Sequence, residues 1–107
     1  MYLWAEYIKE RQDAKIICLE VGFITYRHVE EDSVFICDFF VLPEHRKKGI
    51  GNKLVDMLIK KENPKVLYAS SDTASLNWEQ SHSFIINWGL EELEREDETV
   101  YYGKELR

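Results

Sequence analysis

Val41-Leu42-Pro43-Glu44-His45-Arg46-Lys47-Lys48-Gly49-Ile50-Gly51-Asn52-Lys53-Leu54 joins an apolar strand, a basic turn with two glycines and an amphipathic helix. Such a junction is a site for a phosphate-bearing ligand. The strand is a rigid platform, and glycine lets the backbone come close to the ligand. The N–H groups of the first helical turn, aided by the helix dipole, receive the anion. Arg46, Lys47 and Lys48 add positive charge beside those donors. The turn lacks the Gly-Lys-Ser/Thr ending of a nucleotide-hydrolase loop, and it has two glycines where the dinucleotide fingerprint needs three.

Working outward, residues 34–42 read as a strand ended by Pro43. The helix that starts near Gly49 carries Ile50, Leu54, Val55, Leu58 and Ile59 as one apolar stripe, and Asn63-Pro64 stops it. Upstream, residues 15–20 and 22–29 are β-branched and aromatic-rich and read as strands, with a polar turn at 30–33. Residues 2–12 have apolar positions at helical spacing, with a strand as the alternative. Downstream, 65–70 reads as a strand, and Asp72 or Thr73 caps a helix running to about Ser81. Residues 84–88 and 99–106 read as strands joined by an acidic stretch. The result is one α/β domain over residues 1–107, a mixed sheet with packed helices. Its strand-to-helix crossovers argue for parallel pairing of 34–42 with 65–70.

The 107 residues are 45% hydrophobic and 32% charged, with a net charge of −6. The charge is unevenly spread. Residues 45–61 carry six Lys/Arg against the single Asp56, whereas six of the eight residues from 91 to 98 are acidic. A basic helix on an otherwise acidic chain suits a local anion. It argues against nucleic acid, whose backbone the remaining surface would repel. No apolar run approaches a membrane span. No secretory leader pattern is present, and Cys18 and Cys37 have no metal-ligand spacing. Buried thiols in a reducing, cytoplasmic setting are therefore expected. His28, His45 and His82 form no metal cluster and receive no role; Trp4, Trp78 and Trp88 are expected in the core or an interface.

Arg46-x-x-Gly49-x-Gly51 resembles the Arg/Gln-x-x-Gly-x-Gly/Ala turn of the GNAT N-acetyltransferase superfamily. Residues 36–44, with Val41-x-Pro43-Glu44, resemble the strand that leads into it. The resemblance continues through Val21-Gly22-Phe23-Ile24, a degenerate Asp72…Phe84 segment and Tyr101-Tyr102-Gly103-Lys104-Glu105-Leu106. It implies a GNAT-like sheet whose two central strands splay apart around the pantetheine arm of acetyl-CoA. It also implies that the family's first strand and first helix have no counterpart here, which leaves the acceptor side open or completed by a second subunit in a homodimer. The implied reaction is direct transfer from acetyl-CoA to an amine, on a small molecule or on a protein lysine or N-terminus. The alternative is a non-catalytic coenzyme A-binding or interaction domain on the same fold.

On this resemblance the cofactor-binding residues are Phe40, Val41, Arg46, Lys47, Lys48, Gly49, Ile50, Gly51, Asn52 and Lys53. Asp72 stands at the family's usual asparagine, and Ser75 keeps the next position small. A lysine-like amine is only about one part in 2,500 neutral at pH 7, so a base must take its proton. Asp38, three residues before Val41, is the candidate. The backbone N–H of Val41 is the implied oxyanion donor. Glu79 occupies the position of the tyrosine that protonates the departing thiolate in many members; Tyr68, Ser70 and Ser71 are alternative hydroxyl donors. The acidic stretch 91–98 suggests a cationic acceptor such as a polyamine or a protein lysine.

Overall fold

The structure is a computed structural model that describes residues 15–29 and 32–106. The helix expected over 2–12 lies outside the described residues, as does the question of the family's first strand and helix. Six strands form one sheet: β1 (Lys15–Leu19), β2 (Gly22–His28), β3 (Ser33–Val41), β4 (Val66–Asp72), β5 (Glu91–Glu96) and β6 (Thr99–Glu105), in the order β1-β2-β3-β4-β6-β5. Helix α1 (Ile50–Glu62) links β3 to β4, and α2 (Trp78–Asn87) links β4 to β5. This is the mixed α/β, GNAT-like sheet that the resemblance implied.

The apolar stripe of α1 packs as its spacing requires. Leu54, Val55 and Leu58 are buried against β1, β2 and β3, and Ile50 and Ile59 flank them. The helix ends at Asn63, whose left-handed backbone donates its N–H to the Ile59 carbonyl. At the same end Glu62 accepts the buried Tyr26 hydroxyl at 2.7 Å and sits 3.1 Å from His28 and 3.7 Å from Lys15. The Tyr26 hydrogen bond holds the Glu62 carboxyl below its ordinary range, against the opposing cost of burial.

The pairing of β3 with its neighbours decides the site. Against β4 it runs parallel from Ser33↔Val66 to Ile36↔Ala69, and there the pairing ends although both strands continue. Against β2, Thr25 pairs with Asp38 but Tyr26 with Ile36, so Cys37 is an extra residue, a β-bulge. Val34 and Ile36 are buried before it. Unbroken alternation would bury Asp38 and Phe40 as well. The bulge reverses the phase: Val41 is buried, Phe39 packs on the core, and Asp38 and Phe40 emerge on the outer face.

Four expectations are corrected. The second helix runs over Trp78–Asn87, not from residue 72 to about 81. The apolar run 84–88, read as a strand, is mostly its last turns. Trp78, Ile85 and the capping Trp88 recur at helical spacing and face the core, and Gly89 at φ 93° supplies the stop. A short apolar run does not distinguish strand from buried helix by itself. The acidic stretch is not a loop. Residues 91–96 form the exposed edge strand β5, joined to β6 by a tight turn with Asp97 at φ 56°. Its charges are compatible with an edge, where they discourage further pairing. Last, Cys18 is exposed and Cys37 half-buried, because Cys18 alternates with the buried Ile17 on the outer strand β1.

Candidate active site

Where β3 and β4 part, a cleft of about 490 Å³ opens between Ile36–Val41 on one side and Ala69–Asp72 on the other, floored by α2 residues including Phe84 and Ile85. A second cavity of about 170 Å³ lies at the basic turn, lined by His45, Arg46, Lys47, Gly49, Ile50, Gly51 and Asn52. Val41, Arg46 and Phe84 wall both, so the two are neighbouring parts of one groove.

The turn is built as its sequence demands. Pro43–His45 form a short 3-10 turn, and Lys47 and Gly49 adopt left-handed backbone at φ 63° and 78°. The space around a side chain at Gly49 is open, so its glycine answers to backbone conformation rather than crowding. No side chain caps α1. The first intrahelical bond is Lys53 N–H to the Gly49 carbonyl, so the N–H groups of Ile50, Gly51 and Asn52 carry the positive helix end into the smaller cavity. Arg46 folds back over the strand end. Its Nε donates to the Val41 carbonyl at 2.9 Å, and its guanidinium lies 5.7 Å from the Phe40 ring centroid. Lys48 and Lys53 are exposed and line neither cavity.

Just past the end of β3, Leu42 N–H donates toward the β2 side, to the Val21 carbonyl. Peptide groups alternate sides along a strand. The N–H groups of Val41 and Phe39 therefore point the other way, toward the cleft, where β4 no longer pairs with them. Asp38 also lines the cleft and accepts a hydrogen bond from the buried Thr25 hydroxyl at 3.3 Å. Cys37 lines it too, its thiol pushed up chiefly by burial.

The opposite wall brings in Asp72 and Ser75, as expected. The Asp72 carboxylate accepts the Ala74 N–H at 2.9 Å, and Ser75 Oγ accepts that of Asn77 at 3.3 Å. Glu79 is not brought to the cleft. It is exposed in the first turn of α2 and lines a separate depression with Thr73 and Leu76. Because the helix starts at Trp78, the helical positions facing the cleft are Gln80, Ser81, Phe84 and Ile85. Tyr68 is likewise absent from the cleft lining, whereas Ser70 and Ser71 belong to it. Neither Tyr102 nor His82 is assigned a role from the sequence, yet Tyr102 Oη lies 2.8 Å from Ser71 Oγ and 2.7 Å from His82 Nδ1. Thirty residues separate Ser71 from Tyr102, so no local spacing announces the pair. Among the described residues no group of three His, Cys, Asp or Glu is placed to hold a metal ion.

The fold is a mixed α/β sheet opened between two parallel strands beside an uncapped glycine turn. The sequence matches the acetyltransferase (GNAT) domain over residues 7–86, and the chain belongs to that family. No curated protein matched the sequence. Among solved structures, a protein from Desulfovibrio desulfuricans assigned to the GNAT acetyltransferases superposes with a TM-score of 0.71 at 15% identity, over 81% of this chain and 62% of its own. The chain thus spans less than two thirds of that protein's length. The IAA acetyltransferase of Bacillus cereus gives 0.70 at 12% identity, over 94% and 83%. A Bacillus subtilis acetyltransferase solved in complex with CoA gives 0.67 at 15%, over 95% and 84%. At such identities the likeness is one of fold.

Proposed function

We propose that this chain is an acetyl-CoA-dependent N-acetyltransferase domain acting on an amine by direct transfer. The observation that carries the proposal is the continuity of the groove, from the uncapped start of α1 to the divergence of β3 and β4. Its two parts match the two chemistries of one elongated ligand. Backbone N–H groups of Ile50, Gly51 and Asn52, with Arg46 and Lys47, suit a pyrophosphate. Lys48 and Lys53 add to the local field without reaching the cavity wall. The half-apolar cleft bounded by Phe40, Val41, Asp72 and Ser75 suits an amide-bearing arm, and the small Ser75 leaves room beside it. Bound acetyl-CoA supplies an activated acyl group; the chain positions and polarises it.

Asp38 is the proposed base, held by Thr25 and placed on the cleft face by the bulge at Cys37. The N–H groups of Phe39 and Val41 are the proposed donors to the developing oxyanion. They belong to a rigid strand, so they need no reorganisation when charge develops. The acceptor is an amine-bearing small molecule or a protein lysine or N-terminus. The predominantly acidic edge strand β5 favours a cationic one.

Calorimetric titration of acetyl-CoA tests the reading, with the Arg46→Ala/Gly49→Ala variant alongside. Micromolar binding lost in the variant is the expected outcome; no binding by folded wild type would remove it. The second reading, a non-catalytic coenzyme A-binding domain, draws on Glu79 lying outside the cleft. Binding without acetylation of any amine in a broad panel would favour it.

A further inference from the structure

Tyr102 has no exposed surface. A phenol in a core must find a partner for its hydroxyl, and this one has two, Ser71 on β4 and His82 on α2. Ser71 Oγ also accepts the indole N–H of Trp78 at 3.1 Å. Ser71 is 9% exposed and lines the cleft, whereas His82 is half-exposed at the other end. An unbroken chain of hydrogen bonds therefore runs from the cleft wall through the core to the surface.

The donor inventory of these groups restricts how their protons can be arranged. The indole N–H can only donate, so one lone pair of Ser71 Oγ is always taken. When His82 carries a proton on Nδ1, it donates to Tyr102, and Tyr102 donates to Ser71. Both Ser71 lone pairs are then occupied, and the Ser71 proton is left to point into the cleft. When Nδ1 is bare, Tyr102 donates to His82, Ser71 donates to Tyr102, and the cleft meets a lone pair. One proton on the imidazole thus sets the polarity of the chain. Around His82 stand Glu92 from β5 and the hydroxyl of Tyr102 from β6, and Glu79 lies three residues back on its own helix. Arg95, paired with Glu92 at 2.6 Å and lying over Trp78, is the opposing charge. Trp78 stacks on the ring at 5.1 Å.

We propose that Ser71 is the terminal donor of a Ser71–Tyr102–His82 proton relay that protonates the departing thiolate of coenzyme A, an assignment that rests on the acetyl-CoA reading above. As the amine nitrogen bonds to the acyl carbon and the C–S bond breaks, sulfur keeps the electron pair and takes the Ser71 proton. Ser71 takes the proton of Tyr102, and Tyr102 takes the Nδ1 proton of His82. The imidazolium becomes neutral and is recharged from solvent, while the proton of the amine leaves through Asp38. Ser71 is the catalytic group; Tyr102 and His82 act through it. The relay fills the role that Glu79, outside the cleft, cannot.

The test uses coenzyme A itself, so it needs no acceptor. The thiolate absorbance of bound coenzyme A is followed against pH, as the difference from ligand-free protein, in wild type and in Tyr102→Phe, Ser71→Ala and His82→Gln. Calorimetry on the same samples reports whether the ligand is bound. A donor aimed at sulfur lowers the pH at which the bound thiol ionises, by roughly one to two units relative to free coenzyme A. Ser71→Ala should abolish that shift with binding retained, because it removes the donor at sulfur. Tyr102→Phe and His82→Gln leave the Ser71 proton in place but no longer hold it toward the cleft, so each should reduce the shift. Variants that bind coenzyme A and ionise its thiol at the wild-type pH would overturn the relay alone. Folded wild type that binds no coenzyme A would overturn the cofactor reading and the relay with it.

Discussion

The two walls of the cleft are made differently. The β3 wall, with its turn and the start of α1, works through backbone: strand N–H groups, a left-handed glycine and an uncapped helix end. The β4–α2 wall works through side chains from three elements, and its polar network closes only when β6 packs beneath α2. A backbone site must be written locally, because glycine, proline and the apolar stripe have to occur in register. A side-chain site can be assembled from anywhere in the chain. That is why one wall can be read from 14 consecutive residues, whereas the other joins Ser71, Trp78, His82 and Tyr102.

This contrast can be broken in several places. The largest effect is expected at Asp38, where the β3 wall carries its one proposed reactive side chain. Asp38→Asn should lower kcat for the amine on the order of 1,000-fold, within the usual range for loss of a general base, with acetyl-CoA affinity unchanged. Steady-state kinetics beside calorimetry would separate the two; an equal loss in both would make Asp38 structural. Next, the Arg46→Ala/Gly49→Ala variant should weaken acetyl-CoA binding on the order of 100-fold. It removes a charged donor and forces a left-handed non-glycine backbone. Unchanged affinity would mean that the groove is not the cofactor site.

A smaller effect tests the fold away from the cleft. Tyr26→Phe removes the hydrogen bond that joins β2 to the end of α1 and should cost about 1 kcal/mol of stability at neutral pH. The sign with pH follows from Glu62, whose carboxyl is held below its ordinary range in the fold. Its contribution is present above the unfolded carboxylate pKa and is lost as pH falls through the lower folded value. Denaturation curves of variant and wild type should therefore converge in acid. The smallest effect belongs to Glu79. Glu79→Gln should change neither kcat nor acetyl-CoA affinity by more than about twofold, as expected of a surface carboxylate; a large loss in kcat would return it to the chemistry.

Much of the fold was legible in the sequence: the order of elements from β1 to β4, the parallel pairing of β3 with β4 and the stripe of α1. The failures share a cause. Phe84, Ile85 and Ile86 are equally good β residues, and only the sheet beneath α2 makes them helical. Residues 91–96 look like a solvated loop, and only pairing with β6 makes them a strand. Glu79 was chosen from the position of the family's tyrosine, and the register of α2 instead turns Gln80, Ser81, Phe84 and Ile85 to the cleft. The bulge at Cys37 leaves no mark in composition either, yet it decides that Asp38 faces outward.

Both walls are expected to hold one ligand. Backbone amide chemical shifts, followed while coenzyme A is titrated into the isotope-labelled protein, test it most directly. Concerted shifts are expected at Phe39, Val41, Gly49, Ile50, Gly51 and Asn52 together with Ser70, Ser71, Asp72 and Ser75, while β1 and the outer edge of β5 stay still. Shifts confined to the basic turn, with the β4 wall silent, would contradict it.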